Sequence, residues 1–133
     1  MKSPAESGSS AHSEHVEQVT FINWFRRTHP GVLIFAVPNG GYRSAATAGR
    51  LKAEGVVQGI PDLFVPAWGL WIEVKRAKGG RVSPEQRAVM AYLEQAGYTC
   101  CVARGCDEAA ELVNRFALLN PEKICIAARS VSN

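Results

Sequence analysis

Three charged residues stand close together inside apolar sequence: Asp62 in Gly59-Ile60-Pro61-Asp62, and Glu73 and Lys75 in Trp71-Ile72-Glu73-Val74-Lys75. Such side chains are almost never buried unless paired, so a strand that carries them needs something to offset their desolvation. On a strand, Glu73 and Lys75 leave the same face, ~6.6–6.8 Å apart along the backbone. Val74 points the other way, but its carbonyl lies between them. A hairpin would set Asp62 opposite Glu73. Two carboxylates and a backbone carbonyl are hard oxygen ligands that suit Mg²⁺ or Mn²⁺. Such an ion acidifies a bound water and neutralises charge on a phosphate under attack. Lys75 could orient that water or stabilise the transition state. The expected chemistry is metal-assisted phosphodiester hydrolysis. The competing reading is an exposed Glu/Lys pair on a surface strand, because E-x-K alone is weak.

Charge distribution points the same way. Residues 42–87 hold eight Lys/Arg against four Asp/Glu, whereas the whole chain is only +3. The excess surrounds the carboxylates, where a polyanion such as DNA would be attracted. Candidate DNA contacts are Arg50, Lys52, Arg76, Lys78 and Arg81, with Asn39, Gly40 and Arg43 in a glycine-containing loop able to approach a phosphate backbone. Trp24, Trp68 and Trp71 are read as packing residues rather than base-stacking platforms. His12, His15 and His29 lack partners at ligand spacing. The cysteines, Cys100, Cys101, Cys106 and Cys125, form no C-x-x-C pair and read as buried free thiols of a cytoplasmic protein.

These residues need elements to position them. Ser13 caps a helix over 14–28, with Val16, Val19, Ile22 and Phe25 as its apolar side. Within it, Glu14 and Gln18 are four apart and share a face, Cβ atoms ~5–6 Å apart; Glu17 lies on another azimuth. Residues 32–37 read as a buried strand, 44–54 as a helix stopped by Gly55, and 62–65 and 70–75 as an antiparallel hairpin. Lys78-Gly79-Gly80-Arg81 reads as a mobile basic loop. Ser83, Pro84 and Gln86 form a capping box opening a helix to about 96. Residues 98–103 are a strand, and Asp107 caps a last helix to about 118. Ile124-Cys125-Ile126 could add an edge strand. The order α-β-α-β-β-α-β-α predicts an α/β fold with a mixed sheet flanked by helices. Residues 1–12 read as a flexible tail without a secretory signal, 13–119 as one domain, and 120–133 as a tail or edge strand. Hydrophobic residues at 47% and charged at 20% are ordinary for a soluble domain. No apolar run approaches the ~20 residues of a membrane helix.

Taken together, several of these stretches resemble the VRR-NUC family, the virus-type replication–repair nucleases of the PD-(D/E)xK superfamily. The matching residues run from Ser13-Glu14-His15 with Gln18, through Pro38-Asn39-Gly40-Gly41 and Arg43, to Gly59-Ile60-Pro61-Asp62 and Glu73-Val74-Lys75. Ser83-Pro84-Glu85-Gln86 and Ala96-Gly97-Tyr98 complete the series. Each is weak alone, but their joint order is specific. The resemblance implies a restriction-endonuclease-like core with Mg²⁺ or Mn²⁺ as cofactor. It makes Asp62 and Glu73 metal ligands, Lys75 the catalytic lysine, Glu14 the acid of the first helix and Gln86 the helix glutamine. Gln86 has a second explanation in its capping box, and whether Glu14 or Glu17 reaches the site stays open. Family members occur as stand-alone phage and bacterial proteins and as parts of DNA-repair enzymes. The stand-alone type implies a homodimer cutting branched DNA, such as a Holliday junction. A sequence-reading restriction-type nuclease and a non-catalytic DNA-binding module are the alternatives.

Overall fold

The computed structural model describes residues 13–38 and 44–125. The expected tail over 1–12, Asn39, Gly40 and Arg43, and the chain end beyond Cys125 lie outside the described residues. The elements follow the expected order: α1 (Glu14–Thr28), β1 (Phe35–Ala36), α2 (Ala45–Ala53), β2 (Leu63–Val65), a 3-10 turn (Pro66–Trp68), β3 (Leu70–Lys75), α3 (Pro84–Gln95), β4 (Thr99–Arg104) and α4 (Cys106–Leu119). They build a four-stranded sheet in spatial order β1-β2-β3-β4. The first three strands are antiparallel, and β4 runs parallel to β3. A parallel pair needs a crossover, which α3 supplies. The hairpin closes at Gly69, whose left-handed backbone (φ 60°) is the conformation glycine adopts without strain.

One sheet face is the core. Leu70, Ile72 and Val74 of β3 alternate inward against Phe21 and Phe25 of α1 and Val113 and Phe116 of α4, with Trp68 fully buried beneath. The alternate residues of β3, Trp71, Glu73 and Lys75, leave by the opposite face. α3 lies on that side over β4, where the Cys100 thiol donates to the Met90 carbonyl.

Four local expectations are corrected. The strand expected over 32–37 forms a ladder only at Phe35–Ala36, because β2, its partner, is three residues long. The apolar side of α1 is not centred on Val16 and Val19, which are 41% and 45% exposed. Its buried residues are Glu17, Phe21 and Phe25, four residues apart. α4 is not capped by Asp107. Gly105 (φ 90°) takes the cap position, and Asp107 falls in the first turn. Finally, residues 121–125 are helical rather than a strand. Pro121 suits the first turn of a helix, and Ile124 packs against the core. Among the described residues no helix is long and apolar enough to cross a membrane.

Candidate active site

The hairpin brings Asp62 and Glu73 together as the spacing predicts. Asp62 sits just before β2, where its Oδ2 accepts a hydrogen bond from the Val74 N–H at 3.1 Å. N–H and C=O of one strand residue leave by the same edge, so the Val74 carbonyl opens toward Asp62 as well. Glu73 is 2% and Lys75 7% exposed. Lys75 Nζ lies 3.6 Å from Glu73 Oε1. The same Oε1 accepts from Gln86 Nε2 at 3.0 Å.

Gln86 takes part in the capping box and also reaches Glu73. Its Oε1 accepts from the Ser83 N–H at 2.9 Å while its own N–H donates to Ser83 Oγ at 3.1 Å, completing the capping box of α3. With the amide oxygen occupied in the box, the amide nitrogen is aimed at Glu73. The N-terminus of α3 is held against the Asp62 loop by Gly59. A Cβ there (φ +91°) would lie 2.6 Å from the Glu85 carbonyl carbon and 2.9 Å from the Gln86 nitrogen. Gly59 thus lets the two halves of the site meet.

Electrostatics make the pair costly. Burial, and then the Asp62 charge beside it, push the Glu73 carboxyl up to about 8, with Lys75 pulling the other way. Glu73 Oε2 is buried and finds no hydrogen-bond partner among the described residues. A carboxylate oxygen without a donor, next to a second carboxylate and a strand carbonyl, fits a hard divalent cation. The described residues gather no group of three or more His, Cys, Asp or Glu. Remaining ligands of such a cation would come from the Val74 carbonyl, water and substrate oxygens.

Glu14 is exposed in the first turn of α1, and no described hydrogen bond or ion pair joins it to Asp62, Glu73, Lys75 or Gln86. The buried acid of this helix is Glu17, 8% exposed. Its Oε2 accepts a short hydrogen bond from the Cys106 N–H. It also lies against Gly105, where a Cβ would stand 3.2 Å from Oε2. Glu17 thereby supplies the cap that Gly105 cannot, with its charge at the positive end of the α4 dipole. Spacing with Phe21 and Phe25 was the signal for it: an acid in line with the two most buried aromatics of the helix.

Arg50 and Lys52 are exposed in the last turn of α2. Arg76, Lys78 and Arg81 are exposed on the loop after β3. This loop, expected to be mobile, folds back onto the site. Gly80 is buried against Lys75 Cβ, and its carbonyl accepts from Arg104 Nη1. The cysteines are free thiols but not the buried ones expected: Cys100, Cys101 and Cys106 are half-buried and Cys125 is exposed; desolvation still pushes Cys101 up to about 12 and Cys100 and Cys106 to about 11, away from thiolate chemistry.

No protein-family model matches the sequence, and a search of curated proteins finds no match. A solved structure described as a VRR_NUC domain protein superposes with a TM-score of 0.66 at 24% identity, covering 81% of this chain and 90% of its own. The chain has the VRR-NUC fold. The mixed sheet flanked by helices, expected from the order of elements, is that of a VRR-NUC domain. In the VRR-NUC frame of this chain, Asp62, Glu73, Lys75 and Gln86 meet on one face of the hairpin.

Proposed function

We propose that this protein is a Mg²⁺- or Mn²⁺-dependent endodeoxyribonuclease. The observation that carries the reading is the Asp62–Glu73 pair, Glu73 buried and Asp62 half-buried, with one Glu73 carboxylate oxygen lacking a donor among the described residues and Lys75 beside it. Likeness of fold to a VRR_NUC domain protein supports it. Asp62, Glu73 and the Val74 carbonyl would hold the ion, which when bound acidifies water and offsets phosphate charge. Lys75, fixed by Glu73 and covered by Gly80, directs its ammonium at the attacking water or the phosphate oxygens. Gln86 keeps Glu73 in its rotamer. Glu14 enters as a further contributor through the resemblance alone.

The substrate in this reading is branched DNA, and the protein acts as a homodimer. A small domain offers limited surface for gripping DNA, and two sites related by two-fold symmetry match a four-way junction. Cleavage of plasmid, fork, flap and four-way-junction DNA by purified protein with Mn²⁺ tests the reading. Asp62→Asn and Lys75→Ala should each reduce cleavage by at least about 100-fold, the scale of losing an electrostatic stabiliser. Full activity in both variants would sink it. Equal cutting of plasmid at one sequence would favour the restriction-type alternative, and binding without products on any substrate the non-catalytic one.

A further inference from the structure

We infer that the face carrying Asp62 and Glu73 also bears a stacking platform for unpaired DNA bases, built from Phe35, Phe64, Trp71 and Tyr98. The inference deepens the nuclease reading and rests on it, because it names the class of DNA that the same site takes.

These four rings form a continuous row across the sheet. Phe35 pairs with Phe64 and Phe64 with Trp71 in register, so all three leave by one face. Phe64 and Trp71 stack at 4.1 Å and 21°. Phe35 meets Phe64 edge-on at 5.8 Å, and Tyr98 meets Phe64 edge-on at 5.8 Å. The row belongs to the site's face, since Trp71 and Glu73 are two residues apart on β3, one rung of ~6.8 Å. Asp62 likewise precedes Phe64 by two.

The ends of the row are open. Phe35 and Tyr98 are each 41% exposed. α1 and α4 pack on the other sheet face, and α3 covers β4. Among the described residues no helix packs extensively over β1 and β2 on this side. Packing alone accounts for the Phe64–Trp71 stack but not for two half-exposed aromatics continuing it outward.

Charge selects the occupant. Along β3 the row lies on one side of Glu73, and Lys75 followed by Arg76, Lys78 and Arg81 lies on the other. A DNA strand laid along this line meets cations at its phosphates and aromatic faces at its bases. Only unpaired bases expose a π-face to such a surface, and stacking on aromatics tolerates any sequence. The platform therefore favours flaps, gaps and open junctions over uninterrupted duplex.

The test is binding in EDTA, so that nothing is cut, followed by anisotropy of labelled oligothymidylate, an abasic strand of equal length and a duplex. The full-length protein should bind oligothymidylate about tenfold more tightly than the abasic strand, the scale of a single stacked base, with Trp71 emission quenched. Phe35→Ala with Tyr98→Ala should abolish that difference and leave abasic binding unchanged. If this pair unfolds, Phe35→Leu with Tyr98→Leu keeps apolar bulk without rings and should give the same loss. Equal binding of base-bearing and abasic strands by the parent protein overturns the platform. So does an unchanged preference in the variants, including the case where light scattering shows that they have gone from dimer to monomer and the row is a contact between copies. Cleavage of DNA by the parent with Mn²⁺, measured in parallel, separates the two readings. Cutting without base preference sinks the platform alone, and base preference without cutting sinks the nuclease alone.

Discussion

Glu73 has opposing demands placed on it. The sheet buries it at 2% exposure, Asp62 crowds it with like charge, and the donors that Gln86 and Lys75 present among the described residues both face the same oxygen. Burial, and then the Asp62 charge, lift its carboxyl from the ordinary 4.5 to about 8. Between those values the folded protein holds a proton that the unfolded chain has released, so stability falls as pH rises through that window and levels off above it. Metal-free protein should therefore lose about 2–4 kcal/mol between acid and mildly basic pH, the scale of holding a raised carboxyl ionised. Urea titrations in EDTA would measure it. Glu73→Gln should flatten the slope, raise stability at pH 8 by a similar amount, and abolish cleavage. Adding Mn²⁺ at 100 times its dissociation constant should stabilise the parent by about 2.7 kcal/mol and leave Glu73→Gln unmoved. A Glu73→Gln variant less stable than the parent at pH 8 would mean that the carboxylate is already satisfied without an ion.

At the scale of elements, the site is a meeting of two loops. The Gly59 backbone touches the first turn of α3, and the turn aims Gln86 at Glu73. Gly59→Ala asks an L-residue to adopt φ +91° and drives its Cβ into backbone at 2.6 Å. It should cost more than about 1 kcal/mol, visible as a lower melting temperature, and it should impair cleavage although no charged group is altered. Normal activity with normal stability would show that this approach is not needed. Glu17 tests another junction. Glu17→Ala leaves the Cys106 N–H without its acceptor and should cost about 1–2 kcal/mol, whereas Glu14→Ala on the exposed first turn should stay within about 0.5 kcal/mol. Local chemistry made much of this legible. Ser13, Ser44 and Ser83 cap their helices because each places an oxygen before an N-terminus. The hairpin follows from four residues between two apolar runs. The burial of Glu17 had a signal in its spacing with Phe21 and Phe25, but its capping role was not legible, because the partner lies 89 residues away, after a glycine with no side chain to cap α4. The same holds for Gly59, whose neighbour Glu85 arrives only after the sheet has formed.

For the whole molecule, the sheet divides its duties. One face is closed by α1 and α4 around Phe21, Phe25, Val113 and Phe116 and supplies stability. The other keeps Glu73 and Lys75, a row of aromatics and a basic rim, which burial alone would not select. Strand alternation makes the division possible, because Ile72 and Val74 can anchor the core while Glu73 between them faces the site. Exposed cations follow this face on the loop after β3, and two more, Arg50 and Lys52, are exposed in the last turn of α2. If Lys78 and Arg81 each neutralise a phosphate, every contact releases counterions and steepens the fall of affinity with salt. Lys78→Ala with Arg81→Ala should weaken binding to all DNA shapes alike and reduce the slope of log affinity against log salt by about 2. Both side chains are exposed, so the melting temperature should hold, and the preference for unpaired over paired strands should persist because it is carried by rings rather than charges. A slope unchanged in the double variant would place the phosphate track elsewhere, with Arg50 and Lys52 on α2 as the next pair to remove.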